Sequence, residues 1–219
     1  MSRFSVNAFI SRTLDFARRY QADKRGVAAV EFAFIVPIMF FMFMGAVELS
    51  QAITVDRRVT QAASSIADLA ARKETSINQS EIADIMRIGG YIMAPYKQAP
   101  LQVIVRNVSS SSTDATQTKQ SWQCTFSAAG TNPTPVCTCM NETYAVPAGL
   151  VTTTDSVVVA EVNYTYTPLI FDYFLSRTLS SGAGGPGTYT LSEKIFMKPR
   201  GQAAMLKQDN GQPCPSPTF

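Results

Sequence analysis

A block of basic residues set directly against an uncharged apolar run constrains this chain more than any other feature. Lys24-Arg25-Gly26 is followed by Val27-Ala28-Ala29-Val30, a single acid at Glu31, and then sixteen residues from Phe32 to Val47 without a charge. The 23 residues from Val27 to Leu49 would reach ~34 Å as a helix, enough to cross a hydrocarbon core of about 30 Å. The sequence therefore predicts a membrane-spanning helix over 27–49. Arg3, Arg12, Arg18, Arg19, Lys24 and Arg25 precede it, against Asp15 and Asp23, so the first 25 residues carry +4. Basic flanks stay on the cytoplasmic side, which directs everything after Leu49 to the opposite face.

Glu31 stands where an ordinary span has no charge. A carboxylate in the apolar part of a membrane helix costs a few kcal/mol on insertion scales, less near the interface, and such residues mark function with a partner to be named. A generic signal-anchor explains the hydrophobicity and the basic flank but leaves the spacing from Gly26 to Glu31 a coincidence. A cleaved secretory signal would use the small residues at Ser50-Gln51-Ala52, yet the apolar segment exceeds the ~7–15 residues of such a signal and its basic region is too long. Residues 2–20 are Arg- and Ser-rich like a mitochondrial presequence, with Phe9, Leu14 and Phe16/Ala17 on a partly apolar face; Asp15, Asp23 and the following span argue against it.

Arg25-Gly26-Val27-Ala28-Ala29-Val30-Glu31-Phe32-Ala33 resembles the processing site of bacterial type IV prepilins: a glycine, a hydrophobic residue, a glutamate five residues after the glycine, then an aromatic. It is most similar to the Tad/Flp branch, in particular the TadE/TadF-like pseudopilins, and the similarity is strong from about Lys24 to Lys73. The resemblance implies that a membrane aspartyl protease, the prepilin peptidase, cuts after Gly26, removes residues 1–26 and leaves Val27 with a new amine. It further implies a minor pilin or pseudopilin held in the bacterial inner membrane, N-terminus cytoplasmic and C-terminal domain periplasmic. Other Tad pilins and inner-membrane assembly proteins would be its partners, with incorporation into the pilus itself left open. Glu31 would meet the amine of a neighbouring subunit, with Phe32 beside it on the packing surface. The globular domain departs from the small major pilin of such systems, which favours a minor, initiating or tip role. The competing reading is a single-span binding module that keeps residues 1–26.

Composition fits export. From Val27 onward 13 basic and 14 acidic residues remain, so the basicity belongs to the leader and no distributed basic surface supports nucleic-acid binding. Cys124, Cys137, Cys139 and Cys214 lie beyond the span, where an oxidising periplasm permits disulfides. Four cysteines allow three connectivities. Cys137 and Cys139 are too close in sequence for an easy direct bridge, so one is expected to pair with Cys124 and the other with Cys214. The absence of histidine and the C-x-C spacing disfavour a metal site, and without histidine there is no Ser-His-Asp or Cys-His arrangement. Ser180–Gly187 has glycines but no Gly-Lys-Ser/Thr, so it reads as a flexible loop and not a phosphate cradle. No cofactor or enzymatic activity is expected. The Asn-x-Ser/Thr triplets at Asn78, Asn107, Asn141 and Asn163 read as accidental in a chain rich in Ser and Thr.

After the span, Val55, Val59, Ala62/Ala63, Ile66 and Leu69/Ala70 recur at spacings of three and four, predicting an amphipathic continuation over 50–73. Unbroken, the helix would run about 70 Å, with Pro37 a candidate bend within the membrane. A second helix is predicted near Gln79–Ile88, started by Asn78 or Ser80 and closed by Gly89-Gly90. Strands are predicted at Leu101–Val108, Ser121–Phe126, Ser156–Thr167 and Thr188–Met197, with loops at Ser109–Lys119 and Ala128–Val136. The result is an α+β, pilin-like fold: a long N-terminal helix laid on a small antiparallel sheet, with a periplasmic domain over 74–208 and a Pro-rich tail over 209–219.

Overall fold

The computed structural model describes residues 26–73, 76–129, 134–168, 188–201, 205–207 and 212–219; the basic leader through Arg25 and the Ser180–Gly187 loop lie outside them. The chain divides into two compact units, one ending at Val47 and one running from Glu48 to Phe219.

Helix α1 spans Val27–Ala71 and runs through Pro37 without interruption. Within the second unit its buried positions are Glu48, Val55, Val59, Ala62, Ala63, Ile66, Ala67, Ala70 and Ala71, the three-and-four spacing that puts one stripe on the core. Small alanines dominate the stripe and let the helix backbone approach its neighbours. The helix ends where Arg200 donates its backbone N–H to the Ala71 carbonyl, satisfying one of the carbonyls that a helix leaves open at its C-terminus.

A short strand β1 (Ser76–Asn78) leads into α2 (Gln79–Met93). The Glu81 carboxylate accepts the Asn78 backbone N–H at 3.0 Å and pairs with Lys73 at 2.9 Å, so one acid closes the N-terminus and ties it to the end of α1. Helix α2 does not stop at Gly89-Gly90 as the sequence suggested but continues to Met93. Both glycines are buried. A Cβ at Gly89 would lie 3.1 Å from Ile66 Cδ1 and 3.5 Å from Val103 Cγ2, so the glycine serves close packing of α2 between α1 and the sheet. At the true end, Arg58 of α1 donates to the carbonyls of Ile92 and Ala94.

Five antiparallel strands follow: β2 (Leu101–Ser110), β3 (Thr118–Ser127), β4 (Val136–Thr143), β5 (Ser156–Tyr166) and β6 (Tyr189–Met197), in the spatial order β4-β3-β2-β5-β6. A small strand β7 (Met205–Lys207) pairs in parallel with β1. The sequence indicated four of these strands and missed β4, β1 and β7. Strands β2 and β3 also extend into the expected polar loop, leaving 111–117 as the turn. The inner sheet face sends Leu101, Val103, Val105, Trp122, Cys124, Phe126, Val158, Ala160 and Val162 into one core with α1 and α2. The architecture is α+β and pilin-like. Val157 and Val159 point to the opposite face, where Val108, Val151, Leu150 and Phe196 bury them under the 144–155 connection. That second cluster explains the unbroken apolar run Val157–Ala160, since β5 is covered on both faces over that stretch.

Two disulfides complete the domain. Cys124–Cys137 joins directly opposed residues of β3 and β4; Cys139–Cys214 closes a separation of 75 residues and draws the C-terminal tail onto β4. No cysteine is free, so no thiolate remains for a metal. Farther along the tail, Thr218 donates its N–H to Asn141 Oδ1, and its carbonyl accepts from Lys119 Nζ.

Candidate functional site

The segment from Gly26 to Val47 is chemically unlike the rest of the molecule. Gly26 precedes α1, and an added Cβ there would meet nothing within 4 Å. Its φ is not in the left-handed range, so neither packing nor backbone conformation within the described residues demands glycine at this position. Val27 opens the helix, and Glu31 lies one turn further on the same side. Glu31 is exposed and makes no hydrogen bond or ion pair among the described residues.

Around it the helix surface is almost entirely apolar and uncovered by the chain itself. Phe34 is 74% exposed and Met42 72%, with Phe32, Ile35, Ile38 and Phe41 all more than half exposed. Helices of globular domains bury such residues on at least one side. This one buries none of its most apolar 18-residue window, and it is the one helix among the described residues long and apolar enough to cross a membrane. Its surface is suited to acyl chains or to the apolar helices of other subunits. Gly26, Val27, Glu31 and Phe32 are thus brought onto one helical end by simple sequence adjacency, with no contribution from the folded domain.

The domain carries two further polar groupings that the sequence did not flag. On the outer sheet face Arg106 Nη1 meets Glu161 Oε2 at 2.7 Å, Lys194 approaches the same oxygen at 3.5 Å, and Gln123 accepts from Arg106 Nε at 2.9 Å. Burial pushes the Glu161 carboxyl up, but the Arg106 hydrogen bond and the charges of Lys194 and Arg106 outweigh it and hold the group below the usual glutamate range. The second grouping lies at the start of the domain. Tyr164 and Tyr166 are buried at the end of β5, and Tyr164 donates its hydroxyl to the Lys97 carbonyl. Burial raises both phenols, and for Tyr166 the Glu48 carboxylate adds to the effect. The first grouping cross-braces four strands, β3, β2, β5 and β6, and the second ties α1 and the segment after α2 to the end of β5. Neither assembles a nucleophile with a base, and their residues are too distant in sequence for a linear motif to have announced them.

Residues 26–68 match the family model of TadE-like proteins. The match begins at Gly26 and takes in the exposed apolar helix and most of its buried continuation, well under half of the chain. No curated protein and no solved structure matches. A TadE-like domain with an apolar N-terminal helix suggests a protein of the Tad pilin type, a family typically made of non-enzymatic structural proteins. The helix and the disulfide-bonded domain after it are consistent with a membrane-anchored extracytoplasmic pilin.

Proposed function

We propose that this chain is a minor pilin or pseudopilin of a Tad (Flp) pilus system, cut after Gly26 by a prepilin peptidase and joined to other pilins and inner-membrane assembly proteins through its N-terminal helix. The observation that carries the reading is the lone exposed carboxylate of Glu31, one helical turn from Val27 on an uncovered apolar helix within the TadE-like match. Cleavage puts a new amine on Val27. In a bundle of such helices the Glu31 carboxylate of one subunit meets the amine of the next, compensating two charges that are costly to leave unpaired in apolar surroundings. Phe32, Phe34, Ile35, Ile38 and Phe41 supply the packing surface, against lipid before assembly and against neighbouring helices after it. The basic flank favours a cytoplasmic side for residues 1–26 and a periplasmic one for the domain, where the two disulfides find oxidising conditions. A disulfide-bonded domain of this size on the helix favours an initiating or tip position over bulk incorporation.

N-terminal sequencing of the protein from its native membrane tests the reading. The expected first residue is Val27. A mature protein that retains residues 1–26 would instead be a single-span binding module, and the prepilin assignment would be lost.

A further inference from the structure

Over Val157 and Val159 the outer sheet face is covered by the 144–155 connection. Farther along the same strands it holds a cleft of about 620 Å³, a volume within the range of small-molecule sites. The polar lining is Gln102, Ser127, Asn163, Thr165, Thr190 and Ser192. Strand register brings these distant residues together: Ser127, Gln102, Asn163 and Ser192 stand directly across from one another on β3, β2, β5 and β6, and Thr165 stands opposite Thr190. Neighbouring strands are ~4.8 Å apart, so the six side chains form two ranks of amides and hydroxyls. Every one of them can both donate and accept a hydrogen bond. Pro100, with Ala99 and Ala129, supplies an apolar margin.

No lining side chain among the described residues is charged, although charges stand beside the cleft. Arg106, Glu161 and Lys194 occupy the adjoining stretch of the same face and pair with one another. Glu161 also accepts from Asn163 Nδ2 at 3.5 Å, which sets the plane of that amide before any ligand arrives and spares part of the ordering cost of binding. This lining selects a ligand class. An anion would find at the margin only Lys194, already drawn to Glu161, and a cation only Glu161, already held by Arg106. An apolar ligand would desolvate the amides and hydroxyls without replacing their hydrogen bonds. A peptide strand would use main-chain groups at a sheet edge, whereas the cleft lies across the faces of four strands. Hydroxyls that donate and accept within a small area, carried on a ring with C–H faces for Pro100 and the alanines, leave nothing unmatched. We infer that the cleft binds a neutral sugar unit of a glycan, with Gln102 and Asn163 at its centre. The site lies wholly in the Glu48–Phe219 unit and gives the domain a recognition role beyond subunit assembly.

The test applies the full chain in phospholipid nanodiscs, both disulfides verified by mass, to an array of neutral hexose and N-acetylhexosamine oligosaccharides carrying sialylated and sulfated glycans alongside. Retention is expected on at least one neutral glycan, and titration with that glycan should give an affinity that does not fall as salt is raised, since a neutral ligand has no charge to screen. Gln102 and Ser192 are exposed, so the double variant Gln102→Ala/Ser192→Ala should keep the thermal midpoint of wild type. Its affinity should drop about tenfold, the loss expected for two hydrogen bonds. Thr190→Lys, which brings a charge into the cleft, should weaken binding independently of the first variant. Thr153→Ala, in the exposed turn before β5 at the other end of the sheet, should bind as wild type does. Retention on no neutral glycan, retention on acidic glycans alone, or wild-type affinity in both cleft variants overturns the site and leaves the pilin reading standing. Loss of self-association in the cleft variants, with no glycan bound by wild type, likewise overturns it and makes the cleft a contact between copies.

Discussion

A methyl group added at Gly89 would come within 3.1 Å of Ile66 Cδ1, whereas one added at Gly26 would meet nothing within 4 Å. The first glycine is fixed by packing; the second has no packing reason among the described residues, and the proposed processing step would give it one, a bare backbone at the cut. Gly26→Val should therefore leave helix and domain intact while uncut precursor accumulates, read as slower migration and an N-terminus at Met1 in a peptidase-positive host. Identical migration of wild type and variant would falsify the processing step. Glu161 makes a second residue-scale prediction. Its folded pKa lies below its ordinary value, so its contribution to stability is complete above the usual glutamate pKa of about 4.3 and disappears as pH falls through the lower, folded value. Denaturation midpoints taken from about pH 6 down to about pH 3 should fall more steeply for wild type than for Glu161→Gln. Parallel curves would mean that the Arg106 and Lys194 pairs contribute nothing net, as many partly exposed ion pairs do.

At the scale of elements, legibility in the sequence followed burial contrast. The outer half of α1 is written in the spacing of Val55, Val59, Ala63 and Ile66 because one side faces a core and the other faces water. Strands β2 and β5 announced themselves through inward Val103, Val105, Val158 and Val162. Strand β4 did not: it is an edge strand, largely exposed, whose inward positions are Cys137 and Cys139 instead of branched aliphatics. The end of α2 was misread because Gly89-Gly90 has the composition of a helix stop, while its use depends on the distance to Ile66, a tertiary fact. The TadE-like stretch was readable for the opposite reason, since its residues are contiguous in the chain, whereas the Arg106, Glu161 and Lys194 cluster joins residues far apart in sequence and leaves no linear trace. The tail became an element of the fold through Cys139–Cys214. Closing a loop of 75 residues stabilises by roughly 3–5 kcal/mol in the chain-entropy model. Replacing Cys139 and Cys214 together by serine should lower unfolding stability by that order, with the Cys124–Cys137 bridge retained in non-reducing mass maps. An unchanged midpoint would mean that the tail does not brace the domain.

For the molecule as a whole, the two units treat apolar surface in opposite ways. The unit from Glu48 onward has a core of its own, in which Ile66, Met86 and Trp122 are no more than 1% exposed. The unit ending at Val47 leaves Phe32, Phe34, Phe40, Phe41 and Phe43 uncovered, an apolar surface far too continuous for a chain standing alone in water. Lipid alone would cover the apolar residues, but lipid gives Glu31 no partner. The two fates are separable by experiment. If the helix is only an anchor, Glu31→Ala removes the costly group of an apolar span, and insertion is as good as wild type or better. If the carboxylate meets a neighbour's amine, the same change leaves that amine unpaired in a dry bundle, and breaking a buried pair from one side costs about 3–5 kcal/mol. The expected outcome is that Glu31→Ala is inserted and cleaved normally yet fails to recover other pilus components on co-purification and lowers piliation. Glu31→Gln should behave similarly, since it keeps the size but not the charge. Normal piliation and normal partner recovery in both variants would make Glu31 an incidental charge and reduce the N-terminal helix to an anchor.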